Sequence, residues 1–204
     1  MSEKLNAETR LLAAIAYGES STKDVFEEMA ALANVMVRQS RARGYASIAA
    51  FTAKEKSFSF VVADGNERFG RLMRASEADI GRSRAMSDAV RAAENALNGG
   101  HDYSGGAYFW DGADIKSNYS THFKVRHGIR FTLPNHNLYG IKESTKLVIK
   151  TKTTKTKKNG KIEVKTEEVY RYDHIYDSTA AHGGTIFWKQ NSDYLKFTKS
   201  KEHL

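Results

Sequence analysis

The dipeptide Asn159-Gly160 constrains this chain more than any other local feature, because it stands between two segments that alternate with a period of two. Lys146-Leu-Val-Ile-Lys150 enters a run of alternating Thr and Lys, and Lys161-Ile-Glu-Val-Lys165 leads back through Val169, Tyr170 and Tyr172. Asn-Gly between β-branched, period-two runs specifies a type I′ turn, so the sequence predicts a β-hairpin over about residues 145–172. From about Thr151 to Lys158 the tip has almost nothing apolar on either face. A segment with no apolar face cannot be buried, and the hairpin is expected to project into solvent as a ribbon.

Charge is concentrated in the same place. The formal net charge is +8 over 204 residues, and eight Lys against one Glu between Lys146 and Lys165 account for +7 of it. The rest of the chain is therefore nearly neutral. A strip of Lys attracts phosphates or carboxylates with a strength that falls as salt rises. The tip has no Arg and no interleaved aromatic, so it lacks the stacking surface of a single-strand nucleic-acid platform. An anionic polymer or surface is the expected contact; the plainer reading is a solvated edge whose Lys residues prevent pairing with neighbours.

Without cysteine, disulfides, thiolate metal sites and a cysteine nucleophile are excluded. No stretch approaches 18 consecutive apolar residues, so no membrane span is expected. The first twenty residues lack the basic start and long apolar run of a signal peptide. The seven histidines are scattered with no H-E-x-x-H spacing, and a pairing of Asp102 with His122 has no motif behind it. Gly65, Gly70 and Gly81 do not have the spacing of a phosphate loop. No metal and no cofactor are expected.

Around this ribbon the chain divides into two styles near residue 100. Asn6 can cap a helix to about Tyr17 whose Leu11, Leu12, Ile15 and alanines leave little polar surface, closed by Gly18. A second helix after Thr22 or Asp24 places Val25, Met29, Leu32 and Met36 on one stripe, ending before Gly44. Ser47 to about Ala53, residues 66–80, and residues 87–97 capped by Ser87 supply further helices. Beyond residue 100 the period shortens: Tyr108-Phe-Trp110 is an aromatic run, and Phe123–Phe131 alternates weakly. Ser104-Gly-Gly-Ala-Tyr-Phe-Trp110 is echoed by His182-Gly-Gly-Thr-Ile-Phe-Trp188, which predicts two similar turn-to-strand entries with the tryptophans filling apolar space or stacking on a sugar. The expected class is α+β, a single unit over 1–204 and a monomer: a mainly helical body over 1–135, then a β-rich addition over 136–204. The addition is expected to pack back through Phe187, Trp188, Tyr194, Leu195 and Phe197.

Glu19 is the residue that the pattern singles out for chemistry. It follows an almost wholly apolar helix, and a carboxyl against apolar packing is poorly solvated when ionised, so it holds its proton toward neutrality. General-acid cleavage of a glycosidic bond needs such a group. A surface Glu or a helix-end residue is the alternative at this point.

The stretch LLAAIAYGESSTKDVFEEMAALANVMVRQ resembles the opening of the SleB-like cell-wall hydrolases, whose first helix ends in an acidic residue and is followed by an A-A-V-I-L-N-R type helix. Phe58-Ser59-Phe60 resembles that family's Phe-Ser element, and Ala92–Gly99 followed by Asp102–Phe109 resembles its helix and Gly-Gly-Ala-Leu-Tyr-Phe segment. The ordered likeness covers roughly residues 9 to 110, about half of the chain. It departs where the family reads Glu-Ala-Arg-Gly-Glu and this chain reads Glu19-Ser-Ser-Thr-Lys23, and where the family's helical Asn is Arg38.

The resemblance implies a lysozyme-like or lytic-transglycosylase-like body that cleaves peptidoglycan between N-acetylmuramic acid and N-acetylglucosamine, with Glu19 as the acid. A transglycosylase returns the same glutamate as base and closes a 1,6-anhydro ring; a hydrolase needs a second carboxylate or a positioned water. Glu28, Asp64, Asp111 and Asp114 are the candidates for that role, and Ser59, Tyr108 and Trp110 for contacts with substrate. Such a substrate places the activity in the periplasm or the outer cell wall, reached by a dedicated secretion machine, within a larger protein, or by lysis. A toxin injected into competitors, for instance by type VI secretion, would imply an immunity protein over the cleft. The rival is a non-catalytic wall-binding or nucleic-acid-binding module on the same scaffold.

Overall fold

Small side chains set the helical layer. In the computed structural model, which describes residues 5–58 and 60–204, α1 (Ala7–Glu19) buries every residue from Leu12 to Tyr17. α2 (Phe26–Ala42) buries Met29 through Val37, and α7 (Arg84–Leu97) presents buried Ala89, Ala92, Ala93 and Ala96 to them. Alanine on all three faces lets the backbones approach closely, with Leu12, Ile15, Met29, Leu32 and Met36 filling the space between. α3 (Ile48–Lys54), capped by Ser47, adds Phe51 to this core.

Three helix boundaries differ from those expected. α1 continues through Gly18 and ends at Glu19. The single helix over 66–80 is two, α5 (Glu67–Arg74) and α6 (Glu77–Arg82), after the short α4 (Phe60–Ala63). Ser76 and Asp79 form a reciprocal capping box, which satisfies a new N-terminus more favourably than continuing the old helix. Ser83, rather than Ser87, caps α7, and the Ser87 hydroxyl bonds back to the Ile80 carbonyl.

The β layer draws on distant parts of the chain. β1 (Phe109–Asp111) and β2 (Ile129–Arg130) are separated by α8 (Asp114–Ser117) and α9 (Phe123–His127), so the weak alternation over 123–131 is mostly helical. The hairpin follows as β3 (Val148–Lys158) and β4 (Lys161–Tyr172), and β5 (Tyr176–His182) and β6 (Thr185–Gln190) close the sheet in the order β1-β6-β5-β2. The two echoed segments are partners: Phe109 lies opposite Trp188 and Trp110 opposite Phe187 in an antiparallel ladder. Phe187 joins the helical core, while Trp188 and Ile186 anchor a second core with Ile115, Val125, Ile129 and Tyr176. The architecture is α+β.

The hairpin is a separate two-stranded ribbon with Lys158 paired to Lys161. Asn159 and Gly160 both take positive φ, 49° and 77°, as a type I′ turn requires. Residues 151–168 are exposed throughout. The returning strand makes one face mixed rather than polar: Ile162 and Val164 stand exposed opposite Lys157 and Lys155. α10 (Ser192–Thr198) packs on the base of the ribbon, Phe197 stacked on Tyr170 and Tyr194 edge-on to Tyr172, so these two rings support the hairpin while Phe187 and Trp188 reach the cores. Among the described residues, no helix is long and apolar enough to cross a membrane.

Glu28 joins the two layers. Its carboxylate, wholly buried on α2, accepts hydrogen bonds from the Ser21 hydroxyl at 2.7 Å, the Gly184 amide at 2.9 Å and the Thr185 hydroxyl at 2.8 Å. A buried carboxylate is tolerable only with such donors. Gly183, at φ 59°, makes the approach possible: a Cβ there would stand 2.0 Å from the Glu28 Oε2. Gly183→Ala combines that collision with a strained backbone, and is expected to lower stability by ~2 kcal/mol or more in urea unfolding. An unchanged unfolding midpoint would contradict this account of the turn.

Candidate active site

The end of α1 is unusually well fastened. The last carbonyls of a helix have no partner within it, and here they find side chains from the α4–α5 region. Arg68 donates Nε–H to the Tyr17 carbonyl at 2.8 Å, lies over the Tyr17 ring at 4.0 Å, and reaches the Ser20 hydroxyl and Asp24 through Nη2. Its charge also sits favourably at the negative end of the helix dipole. Asn66 donates to the Gly18 carbonyl at 3.3 Å while its oxygen caps α5 at the Phe69 amide. Gly18 lets α4 close on α1, since a Cβ there would be 2.4 Å from a Val61 methyl.

These contacts fix Glu19, the last residue of α1, at a cavity of about 450 Å³. Burial raises its pKa above the ordinary carboxylate value and the negative charge of Asp64 adds to the rise. Hydrogen bonds to the carboxyl from the Val61 amide and the Trp110 indole work in the opposite direction without cancelling it. The group therefore retains its proton to higher pH than a solvated glutamate.

Aromatic rings form much of the remaining wall. Phe58 packs edge-on to Trp110 with centroids 5.6 Å apart, and Phe60 stands at the rim, 71% exposed. Aromatic faces among polar and charged side chains can pack on a sugar ring while the polar groups bond its hydroxyls. Asp64 and Asp111 share the cavity with Glu19. Asp64 is exposed and accepts the Asn66 amide; Asp111 is buried, with one oxygen 2.9 Å from the Lys124 ammonium, which also lines the cavity.

The other expected residues lie elsewhere. Glu28 is the buried tie between α2 and the β5–β6 turn, outside this cavity. Asp114 lies beyond Asp111 and is bonded to the Gly112 amide. The Tyr108 ring sits beside the Arg38 guanidinium on a different surface, and Ser59 falls outside the described residues. Asp102 binds Arg38 and is not a partner of His122. His122 instead meets Asp111 and Asp114, and ligand-type atoms of these three lie within 4.8 Å of one another. Asn66, Arg68, Lys124 and the Val61 amide were not visible as site groups in the sequence. Only Asn66 carried a signal, as a helix-capping residue ahead of α5.

Because burial raises the Glu19 pKa, its ionised form destabilises the folded chain. That penalty is absent at acid pH, where folded and unfolded chains both carry the proton, and grows as pH rises through the raised value. Gln keeps the shape and never ionises. Glu19→Gln is therefore expected to melt above the wild type near pH 8, with the gap closing toward about pH 4. Scanning calorimetry across that range checks this; a gap of constant size would show that ionisation of Glu19 is not its cause.

Compared with protein-family models, with curated proteins and with solved structures, the chain matches none of them.

Proposed function

We propose that this chain cleaves the β-1,4 glycosidic bond between N-acetylmuramic acid and N-acetylglucosamine in peptidoglycan, with Glu19 as general acid. The observation that carries the reading is a carboxyl with a raised pKa, beside the Val61 amide and the Trp110 indole, at a cavity partly lined by aromatic rings. Glu19 gives its proton to the bridging oxygen as the bond breaks and positive charge develops at the muramic acid C1. If the muramyl C6 hydroxyl then attacks, Glu19 returns as base and the product is a 1,6-anhydro sugar; if water attacks, the product has a reducing end. Of the carboxylates that share the cavity, Asp64 is the exposed one and its charge is felt at Glu19, which supports it as the group that orients water in the second case. Trp110 has a double part, holding the acid and walling the sugar site.

The ribbon serves attachment in this reading. Its exposed Lys residues face a polymer that carries stem-peptide carboxylates, and the attraction weakens with salt. The substrate lies in the periplasm or the outer wall, and the chain acts there. A cleft of this kind is also the surface that an inhibitory immunity protein would cover.

Glu19→Gln is expected to lower turbidity loss on purified sacculi by about 10²–10⁴-fold while leaving sacculus binding intact. Mass spectrometry of the wild-type products distinguishes anhydro from reducing ends. Equal inertness of wild type and variant on sacculi from several species, with tight DNA binding by both, would remove the enzyme reading. Shortening the ribbon by residues 153–158 and 161–166, with Asn159-Gly160 kept as the turn, takes away five Lys and one Glu. Binding to sacculi at low salt is then expected to fall several-fold, with cleavage of soluble glycan chains unchanged. Unaltered binding and salt dependence would assign the ribbon no part in attachment.

A further inference from the structure

We propose that Asp111, Asp114 and His122 form a binding site for a divalent transition cation, of the zinc or manganese type, on the flank of the Glu19 cavity. Asp111 ends β1, Asp114 opens α8 and His122 immediately precedes α9, so three separate stretches of backbone converge there. The His122 Nε2 is 3.3 Å from the Asp111 Oδ1 and 3.5 Å from the Asp114 Oδ2. Atoms bound to one metal at about 2.1 Å lie roughly 3.0–3.5 Å apart when adjacent and about 4.2 Å apart when opposite. Both separations from His122 match a shared centre, and the three ligand atoms lie within 4.8 Å of one another.

A second observation points the same way. The Asp111 side chain is only 9% exposed, and its Oδ2 is enclosed with no hydrogen-bond partner. An enclosed carboxylate oxygen without a donor is costly, and a cation held by both oxygens of the Asp111 carboxylate removes the cost. The Lys124 ammonium supplies one positive charge at the Asp111 Oδ1, 2.9 Å away, against two carboxylates. A divalent ion would take its place at that oxygen and leave the ammonium to the cavity it already lines.

The donor set selects the class of ion. One imidazole and two carboxylates are too few oxygens for calcium and include a nitrogen that magnesium disfavours, and no thiolate is present to select a softer ion. Three protein ligands leave a coordination position for water or an anionic group of a ligand. This site stands on its own geometry and holds whether or not Glu19 is a glycosidase acid.

Titration calorimetry with zinc and with manganese, on chain stripped with chelator and checked by elemental analysis, tests it. The wild type is expected to bind one ion, and Asp114→Asn and His122→Gln each to weaken it by about tenfold or more. Lys124→Met, which removes the competing ammonium, is expected to bind more tightly. His174→Gln is the control: both of its ring nitrogens already bond Asp173 and Asp177, and the affinity should not move. Circular dichroism confirms that each variant folds. Absence of binding in both wild type and Lys124→Met, or binding unaffected by both Asp114→Asn and His122→Gln, would overturn the proposal.

Discussion

Everything at the candidate site depends on how the C-terminus of α1 is held. A helix end leaves carbonyls unsatisfied, and here that deficit is met by Asn66 and Arg68, residues that sit at the start of another helix. Meeting it draws α4 and α5 onto α1, which Gly18 permits, and brings the Val61 amide to the carboxyl of the residue that ends the helix. One local shortage thus fixes the position of Glu19, its enclosure and one of its two hydrogen-bond donors. Arg68 touches no part of the Glu19 carboxyl yet governs where it stands.

The other donor comes from a different layer. Trp110 belongs to β1, and β1 is aligned by its ladder with β6. That sheet is in turn tied to the helices through the buried Glu28 carboxylate, which takes donors from both sides of the boundary. The ionisable groups of the molecule therefore divide by environment. Glu28 has three donors and serves as a joint, whereas Glu19 lines the cavity, where burial raises its pKa.

The hairpin was legible in full because its signals are local: Asn-Gly forces the turn, and alternating Lys and Thr leave no face to bury. The first two helices were legible because runs of Ala with Leu, Ile and Met at helical spacing mark a buried helix face. The break between α5 and α6 was missed because Ser76 and Asp79 look polar and surface-like until they are seen bonding each other's backbone. Glu19 stands out by its apolar approach and does line the cavity, whereas Glu28, a candidate for the second carboxylate, is a structural tie. Telling them apart requires the β5–β6 turn, more than 150 residues away. The meeting of Asp111, Asp114 and His122 was hidden likewise, since their spacing follows no ligand pattern and depends on how α8 turns back.

The pairing of Phe109 with Trp188 also has a bearing on how the molecule is made. On the ribosome the helical layer, complete by Leu97, can collapse while the remaining half of the chain is still being synthesised. The strand that carries Trp110 then waits, without its neighbour, until residues 186–188 emerge. The cavity is thus finished only once residues 186–188 have emerged, and until then the acid lacks the wall beside it.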